Sequence, residues 1–336
     1  LRHRGGVCLD TVISEEAILQ DLVNSFQQCF GMKVLDAVPI RRGWLNLKWK
    51  LTTDAGAYLL KQYNRTRYRL YKPEELHLAF SAQTRLHRDG LPVPRPLTCQ
   101  HRVLLESDGG ERFMAMEYCQ GLTIQPGRAN LRQMYDLGRS TGRMHRLLND
   151  GTLGGKGSPQ FVPPSREDRL EHWKSMLRQA EECGKAPLLD DIELQLKATE
   201  EINEELFEII ETGWAHRDLW SDNLLFHEDR LSAILDFDRL NYDYPLLDAA
   251  RAVMSCAFDD RLDVSLVSAF SEGYREEQTV DQGYLANSLQ LLWYMESAWW
   301  IHADMDKHSA PPARFAKEMN WLANNYRSLR DLLGHL

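Results

Sequence analysis

Residues 34–40, 47–53 and 57–63 have strand character in their apolar and polar pattern, and Asp54-Ala55-Gly56 supplies a tight turn between the last two. Such runs bounded by turn residues predict antiparallel strands. Ahead of them, Ser14 is placed to cap a helix with Glu15 and Glu16 in its first turn and Gly31 as its stop. After them, Pro73 with Glu74 and Glu75 opens a helix to about Arg88, where Leu76, Ala79, Phe80, Gln83, Leu86 and His87 follow helical spacing and Gly90 ends the run. Pro92, Pro94 and Pro96 forbid its continuation. Residues 102–106 and 111–117 read as two more strands around Ser107-Asp108-Gly109-Gly110, so a five-stranded antiparallel sheet with one inserted helix is expected.

Beyond residue 118 the periodicity turns from two to 3.6. Helices are expected over 130–148, 167–183, 190–212, 246–257, 261–275, 281–303 and 312–333, interrupted only by two short strands at 224–227 and 231–235. Residues 119–127 contain Gly121, Pro126 and Gly127 and read as a connector, and the Gly- and Pro-rich run 150–165 reads as a long surface loop. The chain is therefore expected to be α+β, with a lobe over 1–118, a hinge over 119–128 and a helical lobe over 129–336.

A length of 336 residues suits two lobes and leaves no difficulty in burying a core. Charge is unevenly spread: about +4 up to Tyr118 and about −13 after it, within a total of −9. The acidic second part would repel nucleic acid and attract cations, so no nucleic-acid partner is expected. Cys8, Cys29, Cys99, Cys119, Cys183 and Cys256 never approach metal-binding spacing and are expected to be buried thiols in a reducing, cytoplasmic compartment. Residues 1–6 are basic but lead into no apolar run, which reads as no signal peptide, and the lack of an initiating Met reads as processing or trimming. The most apolar stretch, 285–305, is broken by Asn287, Gln290, Glu296, His302 and Asp304, so no membrane partner is expected. Nothing in the sequence fixes the oligomeric state.

The chemistry lies in His216-Arg217-Asp218-Leu219-Trp220-Ser221-Asp222-Asn223, which fits the kinase catalytic-loop pattern without a gap. In that pattern the Asp orients and deprotonates an attacking hydroxyl and the Asn on the same turn ligates magnesium. The apolar strand 231–235 then delivers Asp236-Phe237-Asp238, where a carboxylate can bridge magnesium to ATP phosphates. Lys61 ends the apolar strand Tyr58-Leu59-Leu60-Lys61, in the sheet position of the lysine that neutralises ATP phosphates. His216 is expected to hold the loop by hydrogen bonding rather than to take part in the chemistry.

With RRGWLNLKWKL, YLLKQY, GLPVPRPL, MAMEYCQG, LGRSTGRMHRL, AHRDLWSDNLLF and ILDFDRLNYDYPLLDAARAV, the chain resembles the aminoglycoside phosphotransferase and choline kinase family, with its homoserine kinase-like and spore-coat kinase-like members. The resemblance implies a bilobal protein-kinase-like fold and an ATP- and Mg2+-dependent kinase of a small-molecule hydroxyl substrate. It implies Asp218 as catalytic base, Asn223 and Asp236 as magnesium ligands and Lys61 as phosphate ligand. It further implies a hinge over Met116 to Cys119, where backbone groups of Glu117 and Cys119 hydrogen-bond adenine, and Asp248 as a brace for the catalytic loop.

Departures from protein kinases narrow the acceptor. The turn over the phosphates, 41–47, offers only Gly43, and no Ala-Pro-Glu element follows Asp236, which disfavours peptides. Glu75 is either the partner of Lys61 or, with Glu74, simply stabilises the positive helix end. Trp293, Glu296 and Trp300 share one helical face, and Trp220, Tyr242 and Tyr244 adjoin the catalytic elements. These side chains either pack helices or line a pocket suited to a cationic amino alcohol or aminoglycoside-like acceptor. The alternative reading is a catalytically weak, nucleotide-binding structural protein of the spore-coat kinase-like type.

Overall fold

The computed structural model describes residues 14–41, 46–69, 71–305 and 312–336. Gly43 and Cys8 lie outside the described residues. The chain divides into two compact units, one of residues up to 80 with 94–118 and one of 81–93 with 119–336, the division falling within a helix.

In the first unit, α1 (Glu15–Phe30) begins where Ser14 Oγ accepts the N–H of Ala17 at 3.2 Å and ends at Gly31, whose φ of 68° favours a residue without Cβ. Then come β1 (Val34–Pro39), β2 (Lys48–Thr53), β3 (Gly56–Tyr63), the one-turn α2 (Arg65–Tyr68), α3 (Pro73–Arg88), β4 (Leu105–Glu106) and β5 (Arg112–Glu117). Among the described residues they form one antiparallel five-stranded sheet in the order β1-β2-β3-β5-β4. The pleat of β5 sends Phe113 and Ala115 to one face and Met114 and Met116 to the other. On the first face, Leu22 and Phe26 of α1 pack with Trp49, Leu51 and Leu60, each such burial worth about 1.5–3 kcal/mol. On the second, Leu76 and Phe80 of α3 pack on Tyr63, Met114 and Met116. Lys61 shares the pleat of Leu59 and Tyr63, and so lies on the face that α3 covers.

The second unit is mostly helical. It holds α4 (Leu131–Leu148), α5 (Arg166–Glu182), α6 (Ala186–Glu200), α7 (Glu205–Glu208), β6 (Gly213–Ala215), β7 (Leu224–His227), β8 (Arg230–Ile234), β9 (Asn241–Asp243), α8 (Pro245–Ala257), α9 (Val264–Arg275), α10 (Tyr284–Trp300), α11 (Pro312–Asn324) and α12 (Leu329–Leu333). Helices α4 and α9 cross backbone to backbone. A Cβ on Gly138 would lie 2.0 Å from the carbonyl oxygen of Phe270, and one on Gly273 2.0 Å from that of Tyr135. Glycine is the residue that permits this approach, and across the same pair of helices His145 Nδ1 lies 2.9 Å from the Tyr274 hydroxyl.

Several expected elements differ. The run 190–212 is not one helix: α6 starts earlier, with Pro187 in its first turn, and stops at Glu200. Past that end, Asn203 Oδ1 takes the N–H of Glu205 in a local turn that competes with the helix. The run 312–333 breaks between Asn324 and Leu329, where Asn325 and Ser328 bond the preceding turn through their side chains. Two strands were not expected at all: β6 and β9 pair across nearly thirty residues, and three-residue strands are too short to show a period. The cysteines are not uniformly buried. Cys256 is, and burial pushes its thiol up to about 12, whereas Cys183 is exposed and Cys29, Cys99 and Cys119 are half-buried. No helix among the described residues is long and apolar enough to cross a membrane.

Candidate active site

A buried carboxylate holds the 216–223 turn from behind. Asp248, in the first turn of α8, is 2% exposed. Its Oδ2 accepts the backbone N–H of His216 and its Oδ1 that of Arg217, each at 2.7 Å. His145 of α4 places Nε2 3.1 Å from Asp248 Oδ2 and Nδ1 2.9 Å from the Tyr274 hydroxyl of α9. Charge-assisted bonds to two consecutive amides fix the intervening peptide. They offset a local cost, because Arg217 has φ of 67°, in the left-handed region that a side chain disfavours.

His216 is fully buried and ties the turn to the neighbouring hairpin. Its Nδ1 accepts the Asp218 N–H at 3.2 Å, which puts the ring proton on Nε2, and Nε2 donates to Leu235 O at 2.9 Å. Leu235 N in turn donates to Asn223 O at 2.8 Å. The next residue, Asp236, therefore leaves the end of β8 at the catalytic turn, with φ of 64°. Aspartate tolerates this conformation better than most residues. Asn223 Nδ2 donates to Asp218 O at 2.8 Å and to Asp218 Oδ2 at 2.9 Å. Asp218 thus has one carboxylate oxygen held, and its Oδ1 lies 3.9 Å from the Arg239 guanidinium.

The Arg217 side chain points the other way, to Asp243 Oδ2 at 2.7 Å, and its guanidinium lies 4.8 Å from the Phe161 ring centre. Burial raises the Asp243 carboxyl to about 6, with Arg217 opposing, and burial also lowers Arg217. Gln160 of the 150–165 loop accepts from Arg217 and Asn241, which docks that loop on the same cluster.

Residues 36–286 match the phosphotransferase enzyme family APH, most of the chain. The chain belongs to that family. A homoserine kinase of Zymomonas mobilis is 25% identical over 327 residues, covering 91% of this chain and 95% of that one. A second homoserine kinase, of Rhizobium meliloti, is 26% identical over 240 residues, covering 70% and 68%. Among solved structures, amicoumacin kinase in complex with AMP-PNP, Ca2+ and Ami superposes with a TM-score of 0.63 at 16% identity, over 94% of each chain. The microcompartment-associated aminopropanol kinase superposes at 0.59 and 18% identity, over 93% of this chain and 99% of that one. The fold of this APH phosphotransferase is protein-kinase-like, and the protein is a small-molecule kinase.

The donor set of the APH turn suits a hard divalent cation. With Asn223 Nδ2 committed to Asp218, its Oδ1 would be the atom left to ligate, and Asp236, next after Leu235, would add a carboxylate. Mg2+ takes few protein oxygens and completes its shell with phosphates and water. Bound there, it would supply neutralisation of phosphate charge.

In the first unit, Lys61 is 2% exposed, with Nζ 5.2 Å from the Tyr63 ring centre. Glu75 lies 3.2 Å from Lys72. Met116 is in the α3-facing cluster, and the Glu117 amide donates to Arg95 O at 3.0 Å, so an adenine contact at Glu117 would have to use its carbonyl. Cys119 belongs to the second unit and is half-buried.

The aromatic candidates separate. Trp220, Glu296 and Trp300 converge around Phe315: its ring centre is 5.3 Å from Trp220 and 4.5 Å from Trp300, and Trp300 Nε1 donates to Glu296 Oε2 at 3.1 Å. Trp293 departs from the expected pocket, being fully buried with its indole N–H on Gln195 Oε1 at 2.7 Å. Helix α10 is apolar around its whole middle, so depth along the axis rather than face decides burial. Tyr244 is 6% exposed, and Tyr242 packs edge-on to Trp214 at 5.7 Å. Nor is Glu296 an open anion: Arg251 is ion-paired to it and to Glu318. His145, Asp243, Arg239, Arg314 and Phe315 were not singled out from the sequence, where each is one ordinary residue on a helix or loop.

Proposed function

We propose that this APH phosphotransferase transfers the γ-phosphoryl group of ATP, with Mg2+, to the hydroxyl of a small amine-bearing acceptor such as homoserine or a related amino alcohol. The reading rests on one observation above all, the Asp218–Asn223 pair locked by Asp248 and His216. Asp218 orients the acceptor hydroxyl and accepts its proton as the phosphoryl group departs, so catalysis is mainly positioning and electrostatics. Asn223 and Asp236 hold the metal. Lys61, paired with Glu75, binds phosphate oxygens, Gly43 belongs to the turn over them, and the Met116 to Cys119 segment binds adenine. The two homoserine kinases, alike over two thirds or more of each chain, support the acceptor class.

The test is ADP release with Mg-ATP over a panel of homoserine, amino alcohols, aminoglycosides and neutral sugars. Amine-bearing compounds should be turned over and neutral sugars should not. Asp218→Asn should lower kcat by about 10²–10⁴-fold with ATP affinity little changed. Turnover of none of the panel would favour the structural, nucleotide-binding alternative, and an Asp218→Asn variant of normal rate would remove that residue from the chemistry.

A further inference from the structure

Cys29 and Cys99, distant in sequence, meet within the first unit. Cys29 lies on the last turn of α1 between Phe26 and Phe30, and Cys99 two residues past Leu97. Phe26, Phe30, Leu97 and Leu105 pack in one core, which holds the two cysteine-bearing segments together. Cys99 also opens a tight turn: its N–H donates to Arg102 O and its carbonyl accepts the Arg102 N–H, both at 2.9 Å. Inside that turn Gln100 and His101 have φ of 49° and 65°, the left-handed region that side chains disfavour. Such strain persists where surrounding contacts over-determine the backbone, so Cys99 has a fixed place. The Cys29 side chain hydrogen-bonds to that of Cys99, and neither sulfur is in a disulfide. Both residues are half-buried and line a cavity of about 310 Å³ together with Leu105, Glu106, Arg102 and Arg112. Glu106 lies 3.5 Å from Arg112, whereas the exposed Arg102 has no ion-pair partner among the described residues, which leaves the cavity with a positive balance.

We infer that Cys29 and Cys99 form a dithiol site, separate from the phosphoryl-transfer machinery, that a small anionic disulfide of the glutathione disulfide class oxidises to an internal disulfide. Burial, and after it the neighbouring Cys99, pushes the Cys29 thiol up to about 11, so Cys29 keeps its proton and Cys99 is the sulfur that attacks first. That attack breaks the incoming disulfide, releases one glutathione and leaves the other bonded to Cys99. Cys29 then attacks the Cys99 sulfur, which closes the Cys29–Cys99 bond and expels the second glutathione. The two thiol protons end on the two released glutathiones, and the two electrons given up by the cysteines reduce the incoming disulfide. Arg102 contributes by attracting the carboxylates of the oxidant.

The test exposes the reduced full chain to glutathione disulfide and, separately, to the dicationic disulfide cystamine, with peptide mapping by mass. Glutathione disulfide should join the Cys29 and Cys99 peptides with loss of two hydrogens and no retained glutathione, while the exposed Cys183 keeps a glutathione. Cys29→Ser should halt the reaction halfway, with glutathione held on Cys99, and Cys99→Ser should leave Cys29 free over the same interval. With Cys183 as internal reference, the crosslink should form faster with glutathione disulfide than with cystamine by on the order of tenfold at low salt. Arg102→Gln, a change on an exposed side chain, should reduce that ratio severalfold. Free Cys29 and Cys99 in wild type at a time when Cys183 is fully modified, or a stable glutathione on wild-type Cys99, overturns the dithiol site. Equal rates with the two reagents overturn its preference for an anionic oxidant.

Discussion

Replacing Asp248 tests whether the catalytic turn is held from behind. Its carboxylate, about 2% exposed, receives two backbone N–H groups at 2.7 Å and lies 3.1 Å from the equally buried His145. Alanine would strand both buried amides and the histidine. At about 1–3 kcal/mol for each unsatisfied buried donor that is roughly 3–9 kcal/mol for the three, a large share of the ~5–15 kcal/mol by which domains are stable. Asparagine is the more informative change. It keeps one acceptor oxygen, sets an N–H against the second amide, and should cost roughly 2–3 kcal/mol. Because those amides belong to His216 and Arg217, the defect passes directly to Asp218, and a misplacement of about 1 Å lowers kcat by about 10²-fold. Urea unfolding followed by tryptophan fluorescence gives the first quantity, and ADP release at saturating substrates the second. An Asp248→Asn protein as stable as wild type to within about 0.5 kcal/mol, with unchanged kcat, would show that the turn keeps its shape unaided.

Asp243 titrates near 6, above its unfolded value of 3.8, so the folded state takes up the proton first and this group favours folding increasingly as pH falls from about 7 to about 4. Relative to Asp243→Asn, wild type should therefore gain up to about 3 kcal/mol over that range, while its activity falls below about pH 6 as the pair with Arg217 weakens; a stability gap that does not move with pH would refute the assignment. Gly138→Ala should destabilise by about 1–3 kcal/mol or more, because its Cβ would meet the Phe270 carbonyl at 2.0 Å, and an unchanged melting temperature would deny the close crossing of α4 and α9. Asn223→Leu should raise the Mg2+ concentration needed for half-maximal rate by at least tenfold, read by metal titration, and an unaltered requirement would place the metal elsewhere.

What the sequence determined by itself was whatever is written in consecutive residues. The cap at Ser14, the stop at Gly31, the strand character of β3 and β5 and the helix opened by Pro73 are local, and the eight residues from His216 to Asn223 carry the carboxylate of Asp218 and the amide of Asn223 on one turn. Such features depend on dihedral preference and on side-chain period, which a short window contains. Only the tertiary structure decided which distant side chains meet. His145 reaches Asp248 across 103 positions, and Asp243 meets Arg217 through the β6–β9 pairing. Trp293 and Trp300, alike on a helical wheel, part company because one end of α10 is deeply covered while the other meets Phe315. Burial and charge pairing are sums over neighbours from many elements, so the open carboxylate expected at Glu296 became one bridged by an arginine 45 positions away.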